Sequence, residues 1–324
     1  MRNDFILKNL VISVAAISML SGCSQANDTD TVKKNVNKTQ GRTHQTAPFD
    51  YTSNWLNIRV IGLETADAPN MILIPGLVSS SKSWDRVTDT LAKTYRLHMV
   101  DVSGFAGTPS PNENSENIVA ALADELSAYI ETEKLKHVTI MGHSMGGFTA
   151  LKTAENIGEA LDKIVIVDAL PFYPALFNPN VTTETSTPRA TQMRTQIMTM
   201  KDDAFETMQA QSVSRMSKDT QTQKDILKWS VRSNRNVMAN AMYNIMTQDM
   251  RESLKNIATP VHVIYAWDAA MGISVDQMKN TYEGQYTGLE NAQFTRIDNS
   301  YHFIMRDQPE AFLTAVQVKN RDEK

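Results

Sequence analysis

The stretch His137-Val138-Thr139-Ile140-Met141-Gly142-His143-Ser144-Met145-Gly146-Gly147-Phe148 decides how this chain is read. Val138–Met141 is a short apolar run of the kind that forms a buried strand. It leads into Gly142-His143-Ser144-Met145-Gly146, a G-x-S-x-G motif, and a helical pattern follows from Gly146 to Ile157. A serine on so tight a strand-to-helix turn must adopt a strained backbone conformation with its hydroxyl exposed. Side chains two residues before and two after it would clash, which explains Gly142 and Gly146. Gly147 lets the helix approach the sheet. Backbone N–H groups at the helix start then face the place where negative charge would develop. Ser144 is therefore the candidate nucleophile.

On both sides of this turn, short apolar runs alternate with longer amphipathic ones, which is the pattern of a βαβ sheet. The expected strands are Leu56–Ile61, Met71–Ile74, Leu97–Val102, Val138–Met141, Ile164–Val167, Val261–Tyr265 and Phe294–Ile297. Several are almost wholly apolar, as parallel strands covered on both faces should be. The expected helices are Ser83–Tyr95, Ser115–Glu133, Gly146–Ile157, Val275–Tyr286 and Pro309–Val318. Asp307 is read as the N-cap of the last, with Pro309 in its first turn. The fold class is thus α/β, a mostly parallel doubly wound sheet.

One segment interrupts the alternation. From Glu159 to Met271 there is no glycine, and the residues are rich in Met, Gln, Lys, Arg and Ala, all good helix formers. A helical cap is expected over 171–258, with Pro171, Pro174, Pro179 and Pro188 in its irregular opening. The core then comprises 49–170 and 259–324. Met238, Met242, Met246 and Met250 recur every four residues and form one apolar helix stripe. Such a stripe packs a cap onto a core, and methionine also adapts its shape to apolar ligands.

These segments together resemble the α/β-hydrolase family, from about Trp55 to the C-terminus. Two further stretches carry the resemblance. Met71-Ile72-Leu73-Ile74-Pro75-Gly76-Leu77 is similar to the strand ending in the family's His-Gly oxyanion loop, with Pro75 in the place of histidine. Asp101-Val102-Ser103-Gly104-Phe105-Ala106-Gly107-Thr108 resembles its D-x-x-G-x-G-x-S loop, with one inserted residue and a threonine at the end. The resemblance implies an oxyanion hole made by the N–H groups of Leu77 and Met145.

The general base is found by elimination among the six histidines. His44 lies in a polar N-terminal stretch, His98 and His262 lie within strands, and His137 begins one. His143 adjoins Ser144 on a turn that should aim it elsewhere. His302 remains, in a loop after the last strand and so at the carboxyl end of the sheet, where the family also places its histidine. The family's chain order, Ser–Asp–His, points to Asp268 as the acid, after the strand Val261–Tyr265. Ala266-Trp267-Asp268-Ala269 stands where the family usually has Gly-x-x-Asp. The alternative is Asp168, after Ile164–Val167, where some members place their acid.

The N-terminus is a targeting signal by its pattern. Arg2 and Lys8 precede the apolar run Leu10–Leu20, which is too short for the roughly 20 residues of a membrane span but suits a signal peptide. Leu20-Ser21-Gly22-Cys23 resembles the lipobox of bacterial lipoproteins. That implies a signal peptide over 1–22, lipidation of Cys23 and a place in the bacterial cell envelope. Ser24 after the cysteine favours the outer membrane. Residues 23–48 are polar and read as a tether with a reach of about 25–30 Å. Cys23 is the sole cysteine, so no disulfide can form within the chain.

The net charge of −4 offers no basic face for nucleic acid. The expected function is a membrane-anchored serine hydrolase that cleaves an ester or related acyl bond of a small molecule through an acyl-enzyme, with no metal or cofactor. Peptidase, C–C hydrolase and perhydrolase chemistries use the same fold. A lipoprotein that only binds a ligand or partner is the alternative from another class.

Overall fold

The structure is a computed structural model and describes residues 49–111 and 115–317. The strands are β1 (Tyr51–Thr52), β2 (Leu56–Gly62), β3 (Asn70–Ile74), β4 (Arg96–Val102), β5 (Val138–His143), β6 (Leu161–Val167), β7 (Val261–Trp267) and β8 (Ala292–Asp298). They form one 8-stranded sheet in the order β1-β2-β4-β3-β5-β6-β7-β8. β2 pairs antiparallel with both β1 and β4, and β3 to β8 run parallel. Every expected strand is present. β1, with only two residues, leaves no pattern to read.

The apolar strands are explained by what covers them. β3 and β5 are buried along their whole length. Alternate side chains point to opposite faces, and the core splits accordingly. Ile72, Ile140, Ile166 and Val263 join one apolar cluster, with Leu122, Leu151 and Met278 from α2 (Ile118–Thr132), α3 (Met145–Ile157) and α8 (Val275–Gln285). Met71, Leu73, Met141 and Val165 join the other, with Val87 and Phe312 from α1 (Asp85–Leu91) and α10 (Pro309–Val316). The fold is therefore a mostly parallel, doubly wound α/β sheet.

Between β6 and β7 lie α4 (Thr183–Thr199), α5 (Asp202–Ser212), α6 (Thr220–Val231) and α7 (Arg235–Thr247). The methionine stripe is buried, with Met238, Met242, Met246 and Met250 at most 4% exposed, and it belongs to the first apolar cluster. Asn244 of α7 locks this layer to the core. Its Oδ1 accepts from Ile118 N–H (2.8 Å) and Val119 N–H (3.4 Å), and its Nδ2 donates to the Glu116 carbonyl (2.9 Å). These are donors at the start of α2 that have no partner within their own helix.

Two local expectations are corrected. Pro188 lies inside α4, because a capping box between Thr182 and Thr185 starts that helix earlier. Asp307 does not cap the last helix. It ends the short helix α9 (Ile304–Asp307), and Gln308 holds the N-cap position of α10, with Pro309 in the first turn.

Candidate active site

Ser144 stands between the end of β5 and the start of α3 with φ 53° and ψ −121°, a strained conformation for a residue with a side chain. Its N–H donates to the Val167 carbonyl (2.9 Å), which ties the turn to the end of the neighbouring strand. The glycines have the reason the motif requires. A Cβ on Gly142 would lie 2.1 Å from the Gly146 carbonyl oxygen, and one on Gly146 would lie 2.4 Å from that of Ile74. Neither position admits alanine without a backbone shift.

His302 follows β8 and is 7% exposed. Its Nδ1 donates to Asp168 Oδ2 across 2.7 Å, since an ionised carboxylate can only accept. Asp168 sits directly after β6 at φ 48°, and its Oδ1 also accepts from Ala266 N–H (3.0 Å) and Tyr282 O–H (2.8 Å). The carboxylate is thus fixed from three sides and selects, for the neutral imidazole, the tautomer with its proton on Nδ1.

Asp268, expected at this place, is elsewhere. It follows β7 immediately, without the glycine turn that would carry it back to His302. Its carboxylate instead caps the turn 269–271 through Ala270 N–H (2.8 Å) and pairs with the Lys218 ammonium. Burial raises the Asp268 pKa, but the hydrogen bonds from Lys218 and Ala270 N–H and the charge of Lys218 outweigh it and hold the carboxyl below its ordinary value. The structure brings Asp168 to the histidine and leaves Asp268 to a lysine.

Three supports were not legible in the sequence. Tyr282 of α8 is buried and stacks on Tyr265 at 4.5 Å between ring centroids while it holds Asp168. Burial first, and the Asp168 charge second, push its hydroxyl far above the ordinary tyrosine pKa, so it stays a donor. His143 is completely buried beneath His302, with ring centroids 4.4 Å apart, and its Nε2 donates to the His302 backbone carbonyl (3.0 Å). Burial, then the neighbouring His302, hold it neutral. Asp101, from the loop matched by resemblance, pins the segment after β3. It accepts from Ser80 Oγ (2.9 Å), Ser81 N–H (2.7 Å) and Ser81 Oγ (2.9 Å).

That pinned segment carries Leu77, and Val78 beside it has φ 52°. The N–H groups of Leu77 and Met145 have no backbone hydrogen-bond partner among the described residues. Ser144 and His302 line two chambers. The first has Met145, Phe148, Leu170, Tyr173, Leu176 and Ile245 in its wall. The second includes Leu77, Ser79, Gln209, Ser230 and Met238. No hydrogen bond joins Ser144 to His302 among the described residues; such contacts often close only around bound substrate.

The other described histidines have structural partners. His98 is bonded to Tyr129 (2.7 Å) and Asn70 (2.9 Å), and His262 to Thr295 (2.8 Å). His137 meets Asp162 at the surface. Among the described residues no group of three or more His, Asp or Glu side chains is placed to hold a metal ion. Cys23 and the expected signal peptide lie outside the described residues.

Comparison with known proteins agrees with this fold. A pimeloyl-[acyl-carrier protein] methyl ester esterase of Aliivibrio salmonicida is 22% identical over 199 residues, 61% of this chain and 74% of its own. An uncharacterised Mycobacterium tuberculosis protein is 29% identical over 101 residues, 31% of this chain but only 29% of its own length. Among solved structures, an enol-lactonase from Burkholderia xenovorans has a TM-score of 0.64 at 18% identity, covering 81% of this chain and 94% of its own. A thermophilic esterase from Thermogutta terrifontis has a TM-score of 0.64 at 17% identity, covering 81% and 91%. The profile of the alpha/beta hydrolase fold family matches residues 69–309, most of the chain, so this protein belongs to the α/β-hydrolase fold family.

Proposed function

We propose that the protein is a serine hydrolase that cleaves a carboxylic ester or related acyl bond, with Ser144 as nucleophile, His302 as base and Asp168 as acid. The observation that carries the reading is the buried His302–Asp168 hydrogen bond beside a serine on a strained turn. His302 Nε2 takes the Ser144 proton as Oγ attacks the acyl carbon. The N–H groups of Leu77 and Met145 stabilise the oxyanion. His302 then gives the proton to the leaving alcohol, and water repeats the sequence on the acyl-enzyme. Asp168 holds the tautomer and stabilises the imidazolium without itself taking a proton.

The test is covalent labelling with a fluorophosphonate, together with ester turnover. The wild type should be labelled at Ser144. Ser144→Ala should lose labelling and about 10⁶ in kcat while it stays folded. An unlabelled wild type with no turnover would favour the ligand-binding lipoprotein, and a tenth of the activity left in Ser144→Ala would displace Ser144 as nucleophile.

The enzyme is further proposed to be held in the bacterial cell envelope by a lipid on Cys23, a reading supported by Leu20-Ser21-Gly22-Cys23. Two or more acyl chains anchor stably, at roughly 0.8 kcal/mol per buried CH₂. A fatty-acid analogue should label the wild type and not Cys23→Ala, and equal labelling of both would refute the anchor.

A further inference from the structure

We propose that the second chamber is a subsite for an uncharged, hydrogen-bond-accepting oxygen of the substrate, recognised by Gln209 of the cap. The proposal rests on the serine hydrolase reading and names the substrate class for it.

The two chambers meeting at Ser144 differ in chemistry. Phe148, Leu170, Tyr173, Leu176 and Ile245 give the first a wall suited to an alkyl or aryl group. The second is lined by Gln209, Ser212, Ser230 and Ser79 among its apolar residues. Gln209 is 5% exposed, and its Nε2 is buried with no hydrogen-bond partner. A buried amide group with both N–H bonds unused is uncommon in a folded protein, because its hydration is lost without replacement.

The serines do not compete for the role of donor. Ser212 Oγ donates to the Gln209 carbonyl (2.8 Å), Ser230 Oγ to Leu227 (3.0 Å) and Ser79 Oγ to Leu77 (3.3 Å). Each hydroxyl proton is committed to the backbone, so Gln209 is the donor left facing a ligand. No aspartate, glutamate, lysine or arginine is among the lining residues. A carboxylate or phosphate entering here would lose its hydration with no cation to replace it. An ether, hydroxyl or carbonyl oxygen fits. The substrate class is therefore an uncharged ester, apolar on one side of the scissile bond and oxygen-bearing on the other.

The test uses two pairs of near-isosteric esters, one for each side of the bond. They are 2-methoxyethyl against butyl butanoate, and methyl 4-methoxybutanoate against methyl hexanoate. Wild-type kcat/KM should favour the oxygen-bearing member of one pair by at least about tenfold, as expected when the alternative leaves a buried donor unpaired. Gln209→Leu should bring that ratio close to one, chiefly through loss on the oxygen-bearing ester. Gln209→Met, which keeps the length of the side chain and removes the donor, should do the same. Ratios unchanged in both variants, or an equal fall on both members, would overturn the subsite. If the wild type hydrolyses none of the four and resists fluorophosphonate, the hydrolase reading has failed. Relative affinities of Ser144→Ala and the double variant with Gln209→Leu for the same pairs then decide the subsite on their own.

Discussion

Asp168 and Asp268 each follow an apolar strand, and they differ in what waits for the carboxylate. Asp168 meets Ala266 N–H, Tyr282 O–H and His302 Nδ1–H, whereas Asp268 meets Lys218 and its own turn. Asp168→Asn should lower kcat about 10⁴-fold by favouring the wrong imidazole tautomer. Asp268→Asn should change it by less than about tenfold, since an ion pair to a partly exposed lysine contributes about 1 kcal/mol or less. Steady-state kinetics on the two folded variants decide it, and a collapse confined to Asp268→Asn would reverse the assignment. The strained turn at Ser144 was legible because its constraints are local, written in Gly142 and Gly146. The place of His302 after the last strand was legible by exclusion. The carboxylate that meets it was not, because the donors that select Asp168 arrive from β7, α8 and the His302 loop. Nothing near residue 168 announces them. The one local warning was at Asp268, where the family's glycine is missing.

At the scale of elements, the cap is fastened to the loop that carries His302. Phe303 N–H donates to the Met216 carbonyl (3.1 Å), just before α6. Asp307 accepts from Ser217 Oγ (2.5 Å), Lys218 N–H (3.1 Å) and Tyr301 N–H (2.9 Å), so one carboxylate gathers both segments. Asp307→Ala leaves several donors unpaired and should destabilise the fold by about 1–3 kcal/mol. It should also lower kcat more than it alters KM, because His302 loses its anchorage while the chambers keep their walls. Denaturant unfolding and ester kinetics measure the two effects. A kcat unchanged where the variant is fully folded would show that the tie is only structural. The sequence marked strands and helices well, since hydrophobic period is a local quantity. It misplaced Asp307 as a helix cap because an aspartate before Gln-Pro has the pattern of one. Its actual partners lie in α9's own loop and in the cap.

Across the whole molecule, buried imidazoles make the fold sensitive to mild acid. Burial, helped by Arg96 for His98 and Lys163 for His262, lowers each pKa from 6.5 to about 4. Between those values the unfolded chain binds protons that the folded chain refuses, so stability falls as pH falls from 6.5 towards 4. Each histidine accounts for a loss of about 3 kcal/mol over that window. His143 adds in the same direction. Asp219, lowered from 3.8 to about 2 chiefly by Arg86 and Thr222 against the effect of burial, loses its contribution only at still lower pH. Urea unfolding at pH 7, 6, 5 and 4.5 should show a steady decline, and a flat profile would contradict this account. The sequence placed His98 and His262 inside strands, but not the depth of burial that keeps them neutral. The order of the chain has one more consequence. Ser144 and Asp168 directly follow the adjacent strands β5 and β6, and both precede α4 in the chain. The helices α4–α7 are then a cassette spliced between Asp168 and His302. Lengthening or exchanging that cassette should re-shape the chambers without altering the spacing of Ser144 and Asp168, so evolution or an engineer can change what the protein accepts while two of the three proposed catalytic groups stay where they are.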